Sequence, residues 1–409
     1  MTWLSSPAHR RWLESETDRL LAFGRASRLR DGFGWLDESG RPMRDRPLQL
    51  WITCRMTYVY ALGDLLGRPG AGELVDHGLA ALGGRFHDDE HGGWFAAVDG
   101  QGPADPSKAA YPHAFVILAA ASALVSQRAS ARPVLEEALE VSLRHFWDAD
   151  AGMVIESWDR AFTAAEGYRG VNANMHTVEA YLAAADVTGD RSWLDRAARI
   201  TEWVVHRLAR ENHWRIPEHF DRQWQPLPDY NAKSPADAFR PFGATVGHWL
   251  EWSRLTLHVR AALAAVGDVP PEWMLPDAVD LFDAAAAQGW EVDGAPGFVY
   301  TVDWQGRPVV RERMHWVVCE AVAAAAALQG ATGEARFDDC YRTWWEYAAE
   351  HLIDPVGGSW WHELSPANTP SATVWSGKPD LYHAVQATLI PRLPLAPSLA
   401  SAMSQGLLH

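Results

Sequence analysis

Cysteine is scarce: Cys54, Cys319 and Cys340 are the only three in 409 residues. Each sits alone in an apolar stretch, too far from the others for a disulfide framework or a thiolate zinc site, so they read as buried reduced thiols. Positive charge is also in deficit, with 36 Lys and Arg against 52 Asp and Glu, a net charge of −16. Nucleic acid and anionic membrane surfaces, which need clustered Lys and Arg, are therefore excluded as partners, and a neutral small molecule fits better. No run approaches the length of a membrane span; the Ala-rich stretch from Ala321 to Leu328 is a buried helix by its length. The start, M-T-W-L-S-S-P-A-H-R-R-W, lacks the basic-then-apolar order of a signal peptide, which makes cytoplasmic the default localisation. No Ser- or Gly-rich linker divides the chain, and residues 1–409 are read as one domain.

What is abundant is tryptophan, 22 residues, enough to fill a large core and to line a cleft that stacks on sugar rings. A Gly-aromatic punctuation recurs at Gly34-Trp35, Gly93-Trp94, Gly152-Met153, His213-Trp214, Gly297-Phe298 and Gly358-Ser359-Trp360, in steps of 59, 59, 61, 84 and 61 residues. The long step holds an extra Pro-rich loop from Pro226 to Pro241, expected either to cover a cleft or to form a subunit contact in a homo-oligomer. Helices fall in two kinds. Ala110–Leu124, Met175–Ala185, Gly247–Ala265, His315–Leu328 and Tyr382–Leu389 are apolar nearly all round and must be buried on all sides. Val134–Phe146, Trp193–Leu208 and Ala335–His351 carry charges at helical spacing and read as half-exposed. Their alternation over six units predicts an all-α fold, an (α/α)6 barrel with short hairpins and loops at the active-site end.

The starts of the inner helices should then meet at one end of the ring, and each unit places polar residues there: Trp51 and Arg55; Tyr111 and His113; Asn172, Asn174, His176 and Glu179; His248 and Glu251; Arg313, His315, Trp316 and Glu320; and Asp380, Tyr382 and His383. Aromatic walls with Arg, Asn, His and carboxylates suit an uncharged polyhydroxylated ligand, hence a sugar. His248 and His383 form a candidate acid/base pair, able to deprotonate the carbon beside an aldose carbonyl and return the proton elsewhere. At i,i+3, Glu251 is expected to share the hydrogen-bond network of His248. No metal or cofactor is required by this chemistry. Zinc on His113, His176, His248 and His383 would draw ligands from four helices without the usual short spacing. Glu251 and Glu320 are the carboxylate pair a glycosidase would need.

Four motifs, L-W-I-T-C-R-M (50–56), N-A-N-M-H-T-V-E-A-Y (172–181), G-H-W-L-E-W (247–252) and K-P-D-L-Y-H (378–383), together resemble the N-acylglucosamine 2-epimerase superfamily, over nearly the whole chain. The likeness is greater to its mannose isomerase branch: R-M-H-W-V-V-C-E and K-P-D-L-Y-H depart from the Trp-Trp-Pro and Cys-Pro-Tyr-His patterns of the epimerases. The resemblance implies a cofactor-independent aldose–ketose isomerase interconverting D-mannose and D-fructose, with lyxose as a related substrate, through an enediol. Residues matching His248 and His383 would be the acid and base, Glu251 the support of the first, and Trp51, Arg55, Asn172, His176 and Trp316 the residues that hold the sugar; Tyr111, Glu320 and Asp380, from the same helix starts, complete the expected substrate-binding set. The alternatives are a sugar 2-epimerase and a non-catalytic sugar-binding protein.

Overall fold

The computed structural model describes residues 2–409. Thirteen helices follow in order: α1 (Pro7–Gly24), α2 (Leu50–Leu65), α3 (Ala71–Leu82), α4 (Ala110–Val125), α5 (Ala131–Val141), α6 (Val171–Thr188), α7 (Arg191–Thr201), α8 (Val246–Ala265), α9 (Met274–Gly289), α10 (His315–Thr332), α11 (Ala335–Tyr347), α12 (Tyr382–Leu389) and α13 (Leu399–Ser404). The even-numbered helices α2 to α12 form the inner ring, and α1, α3, α5, α7, α9 and α11 the outer one, giving the (α/α)6 barrel.

Burial follows the two kinds of sequence. On α10 every side chain from His315 to Leu328 is buried except Trp316, which faces the cavity at the ring's end. Outer α7 buries only Trp193, Leu194, Ala197, Ile200 and Thr201, the stripe a helical period allows, and turns its arginines outward.

Each of the inner helices α2 to α10 enters the ring from a two-residue strand that pairs antiparallel with a strand of the following unit. The pairs are Leu48–Gln49 with Ala97–Val98, Lys108–Ala109 with Ser157–Trp158, Arg169–Gly170 with His219–Phe220, Ala244–Thr245 with Thr301–Val302, and Arg313–Met314 with Glu363–Leu364. The sixth unit closes onto the first when the Lys378 amide donates to the Leu36 carbonyl at 2.8 Å. These staples hold the inner helix starts on one end of the molecule, where the polar residues gather.

The recurring glycines mark left-handed turns. Gly152 has φ 71°, and a Cβ there would meet Arg199 at 1.9 Å, so only glycine fits. In the fourth unit His213 and Trp214 take φ of 54° and 66° in glycine's place. Gly34 departs from the series, since its φ is not positive.

Candidate active site

The starts of all six inner helices line one cavity, walled by Trp51, Arg55, Tyr111, Asn172, His176, His248, Glu251, His315, Trp316, Asp380 and His383. Of the residues expected to bind or act on a ligand, only Glu320 lies outside this wall. Its position explains why: Glu320 Oε1 is 3.0 Å from His383 Nδ1, so the carboxylate stands behind the imidazole instead of facing a ligand. His113 is also off the cavity, its Nε2 held 2.8 Å from the Ala138 carbonyl. Asn174 ties its helix to a neighbouring strand, accepting from the Val154 amide at 2.7 Å and donating to Gly170 at 2.9 Å.

His248 has a partner that sequence spacing did not suggest. Its Nδ1 lies 2.9 Å from Oε1 of Glu218, on the loop before the strand His219–Phe220, and not against Glu251. Side chains on a helix lean toward its N-terminus, so His248 in the first turn of α8 reaches up to that loop, while Glu251 lies a turn deeper. There Glu251 Oε1 is 3.4 Å from Arg254 and 3.8 Å from His176 Nδ1. A positional signal for Glu218 exists: carboxylates stand three or four residues beyond the unit's punctuating residue at Met153–Glu156, Trp214–Glu218 and Trp360–Glu363.

The two histidines thus form matched pairs, His248 with Glu218 and His383 with Glu320. With the carboxylate accepting from Nδ1–H, each ring presents Nε2 as its free nitrogen. The indole of Trp316 packs near both, its ring centroid 5.2 Å from that of His248 and 5.7 Å from that of His383. Burial, with the Arg55 charge nearby, holds His383 and His176 well below the ordinary imidazole range, so both are neutral at rest.

Arg55 donates to the Tyr111 hydroxyl at 2.9 Å and pairs with Asp380 at 3.3 Å, its guanidinium 4.4 Å from the Phe115 ring and 4.6 Å from that of Tyr382. That cage fixes the fork and leaves Arg55 Nε buried without a partner. Asn172 Oδ1, His176 Nδ1 and Glu251 Oε2, on residues that also line the cavity, are likewise buried and unpartnered. Phe239, on the Pro226–Pro241 loop, closes the mouth against Trp375 and Tyr111 at centroid distances of 5.1 and 5.8 Å, and against Trp51 at 6.1 Å. The loop therefore covers the cleft.

Among the described residues, Glu251, Glu320 and His383 are the one trio whose ligand-type atoms lie within 4.8 Å of one another. The cation of that cluster is a guanidinium: Arg254 Nε is 2.9 Å from Glu320 Oε2, and His383 Nδ1 faces Glu320 as a hydrogen-bond donor. The four histidines considered for zinc form no such cluster. No helix is long and apolar enough to cross a membrane among the described residues.

A ring of paired helices closing over two carboxylate-backed imidazoles and an aromatic, hydrogen-bonding wall defines an (α/α)6 barrel of the sugar epimerase and isomerase class. The chain belongs to the N-acylglucosamine 2-epimerase family, whose model matches residues 32–387. It is 54% identical over 405 residues to a D-mannose isomerase of Thermobifida fusca, covering 98% of each chain. It is 53% identical over 404 residues to a D-mannose isomerase of Pseudomonas cannabina pv. alisalensis, covering 98% of this chain and 97% of that one. A crystal structure of a D-mannose isomerase superposes with a TM-score of 0.87 at 28% identity, over 94% of this chain and 98% of the other.

Proposed function

We propose that this chain is an aldose–ketose isomerase that interconverts D-mannose and D-fructose. The observation that carries the reading is the pair of imidazoles on one cavity wall, both within 6 Å of the Trp316 ring and each with its Nδ1 held by its own glutamate. The whole-length similarity to D-mannose isomerases supports the choice of sugar.

The steps follow from the geometry. His248 hands a proton between the ring oxygen and the anomeric hydroxyl, opening the pyranose. His383, neutral with Nε2 free, removes the proton from C2 of the open-chain aldose and becomes an imidazolium that Glu320 stabilises. The enediolate so formed passes one proton from O2 to O1 through His248, and the imidazolium of His383 returns its proton to C1, giving the ketose. Arg55, Asn172 and His176 hold hydroxyls, and Trp51 and Trp316 cover the C–H faces.

EDTA-treated protein incubated with D-mannose and followed by carbon NMR tests the reading. Fructose as the first product, at a rate unchanged by the EDTA treatment, is expected. Glucose as the first product would make the chain a 2-epimerase, and no product from mannose or lyxose would remove the isomerase reading.

A further inference from the structure

Behind the two histidines lies a buried charged cluster that the proposed steps do not use. Glu251 and Glu320 sit within 4.8 Å of each other's oxygens, both essentially without exposure, with one guanidinium between them. That guanidinium is placed unequally: Arg254 Nε is 2.9 Å from Glu320 Oε2, whereas its contact to Glu251 Oε1 is 3.4 Å. Two buried carboxylates this close cannot both carry full charge, so the nearer contact decides which one does.

We propose that Arg254 is a positioning residue of the isomerase site: it fixes the negative charge on Glu320, leaves the proton on Glu251, and so keeps Nδ1–H of His383 donating and Nε2 free. The proposal rests on the isomerase reading for its activity assay. Were Glu320 to take the proton, it would offer His383 a donor in place of an acceptor, and the imidazole would lose both its tautomer and the charge that stabilises its protonated form.

The surroundings agree. Burial, and next the Glu320 charge, hold the Glu251 carboxyl well above the usual range. The groups facing the cluster are Arg55 and Tyr58 from α2, Tyr111 from α4, His176 and Glu179 from α6, His258 from α8, Cys319 from α10, and Tyr382 with His383 from α12. Of these only Arg55 carries positive charge, and it is committed to Asp380 and Tyr111. Glu179 is held by the Tyr382 hydroxyl and by Gln386 at 2.7 Å, which leaves Arg254 as the one cation able to choose between Glu251 and Glu320.

The test uses mannose turnover by the full chain carrying Arg254→Ala, with Arg254→Lys beside it. At neutral pH the Ala variant is expected to lose about 100-fold in kcat with KM changed by less than about threefold. The acid limb of its kcat–pH profile moves to higher pH, because the buried carboxylate pair has lost its nearest cation, so the loss shrinks in alkaline buffer. Lys restores part of the rate. Arg254 also borders a second cavity of 470 Å³ at the opposite end of the ring, and guanidinium ion entering there is expected to recover activity at least about tenfold in the Ala variant. An acid limb that stays in place, or a kcat within about threefold of wild type, overturns the proposal.

A second measurement decides the matter should Arg254→Ala not fold, or should the wild type not act on mannose. The infrared stretch of a buried protonated carboxyl is expected to lose intensity in Glu251→Gln. A spectrum in which Glu251→Gln removes no such intensity overturns the proposal.

Discussion

In the proposed mechanism a histidine of ordinary type serves as a base because one nitrogen is committed and the other is not. His383 spends Nδ1 on Glu320, and His248 spends Nδ1 on Glu218. Glu218→Gln keeps the shape while replacing the acceptor with an amide that can turn its donor toward the ring. We expect kcat to fall about 10- to 100-fold with KM little changed, and steady-state kinetics on mannose would show it. An unaltered kcat would leave His248 independent of its carboxylate. The residue types were legible in the sequence, as was the convergence of His248, His383, Arg55 and Asn172 on one end of the barrel. The pairings were not. Helical spacing put Glu251 beside His248, but the lean of side chains toward the helix start gave that place to a loop residue thirty positions upstream. Glu320 was legible as a polar residue at the right level, yet spacing cannot tell a residue that faces a ligand from one that stands behind another side chain.

Element by element, the inner helices were readable because apolar residues predominate on nearly all their faces, and the outer ones because their charges keep a helical period. The two-residue strands were not readable as pairs: two residues carry no periodicity, and their partners lie in the next unit. The Pro-rich loop declared itself only as extra length, and its packing over the cleft depends on Phe239, which remains 43% exposed while its edge meets three aromatic rings. Each such contact is worth about 0.5–1.5 kcal/mol, so Phe239→Ala should loosen the cover by roughly 1–3 kcal/mol. The expected outcome is a rise in KM of about tenfold with an unchanged melting temperature, read from kinetics and a thermal scan of the same protein. A lower melting temperature at constant KM would show the loop to be a fold element only.

Across the whole molecule the same device secures units far apart in sequence. Lys108 Nζ meets Asp88 at 3.0 Å and the Gly92 carbonyl at 2.9 Å; Lys378 Nζ meets Asp354 and the Gly358 carbonyl, both at 2.6 Å. The N-terminal helix completes the ring against the last unit, with Glu16 accepting from the Trp360 indole at 2.7 Å. Enclosing so many imidazoles has a consequence for pH. Burial lowers His113 and His315 from 6.5 to about 4 and His258 to about 3. The unfolded chain therefore binds protons on these rings as pH falls through 6.5 while the folded chain does not, and stability is lost from there down toward pH 4. Buried Glu156, Glu179 and Glu251, held above the usual carboxylate range, act in the opposite sense above about 4.5, but the buried imidazoles outnumber them. Thermal scans should show the melting temperature rising from pH 4.5 to 6.5, and a flat or falling trend would mean that these rings are charged in the fold.

The most direct test of a two-imidazole isomerase is the turnover of D-mannose to D-fructose by His383→Ala beside the wild type, with circular dichroism recorded on both. Loss of the proton carrier predicts turnover reduced by about 1000-fold or more in a protein whose helical spectrum is unchanged. Near-normal fructose formation by His383→Ala would contradict it.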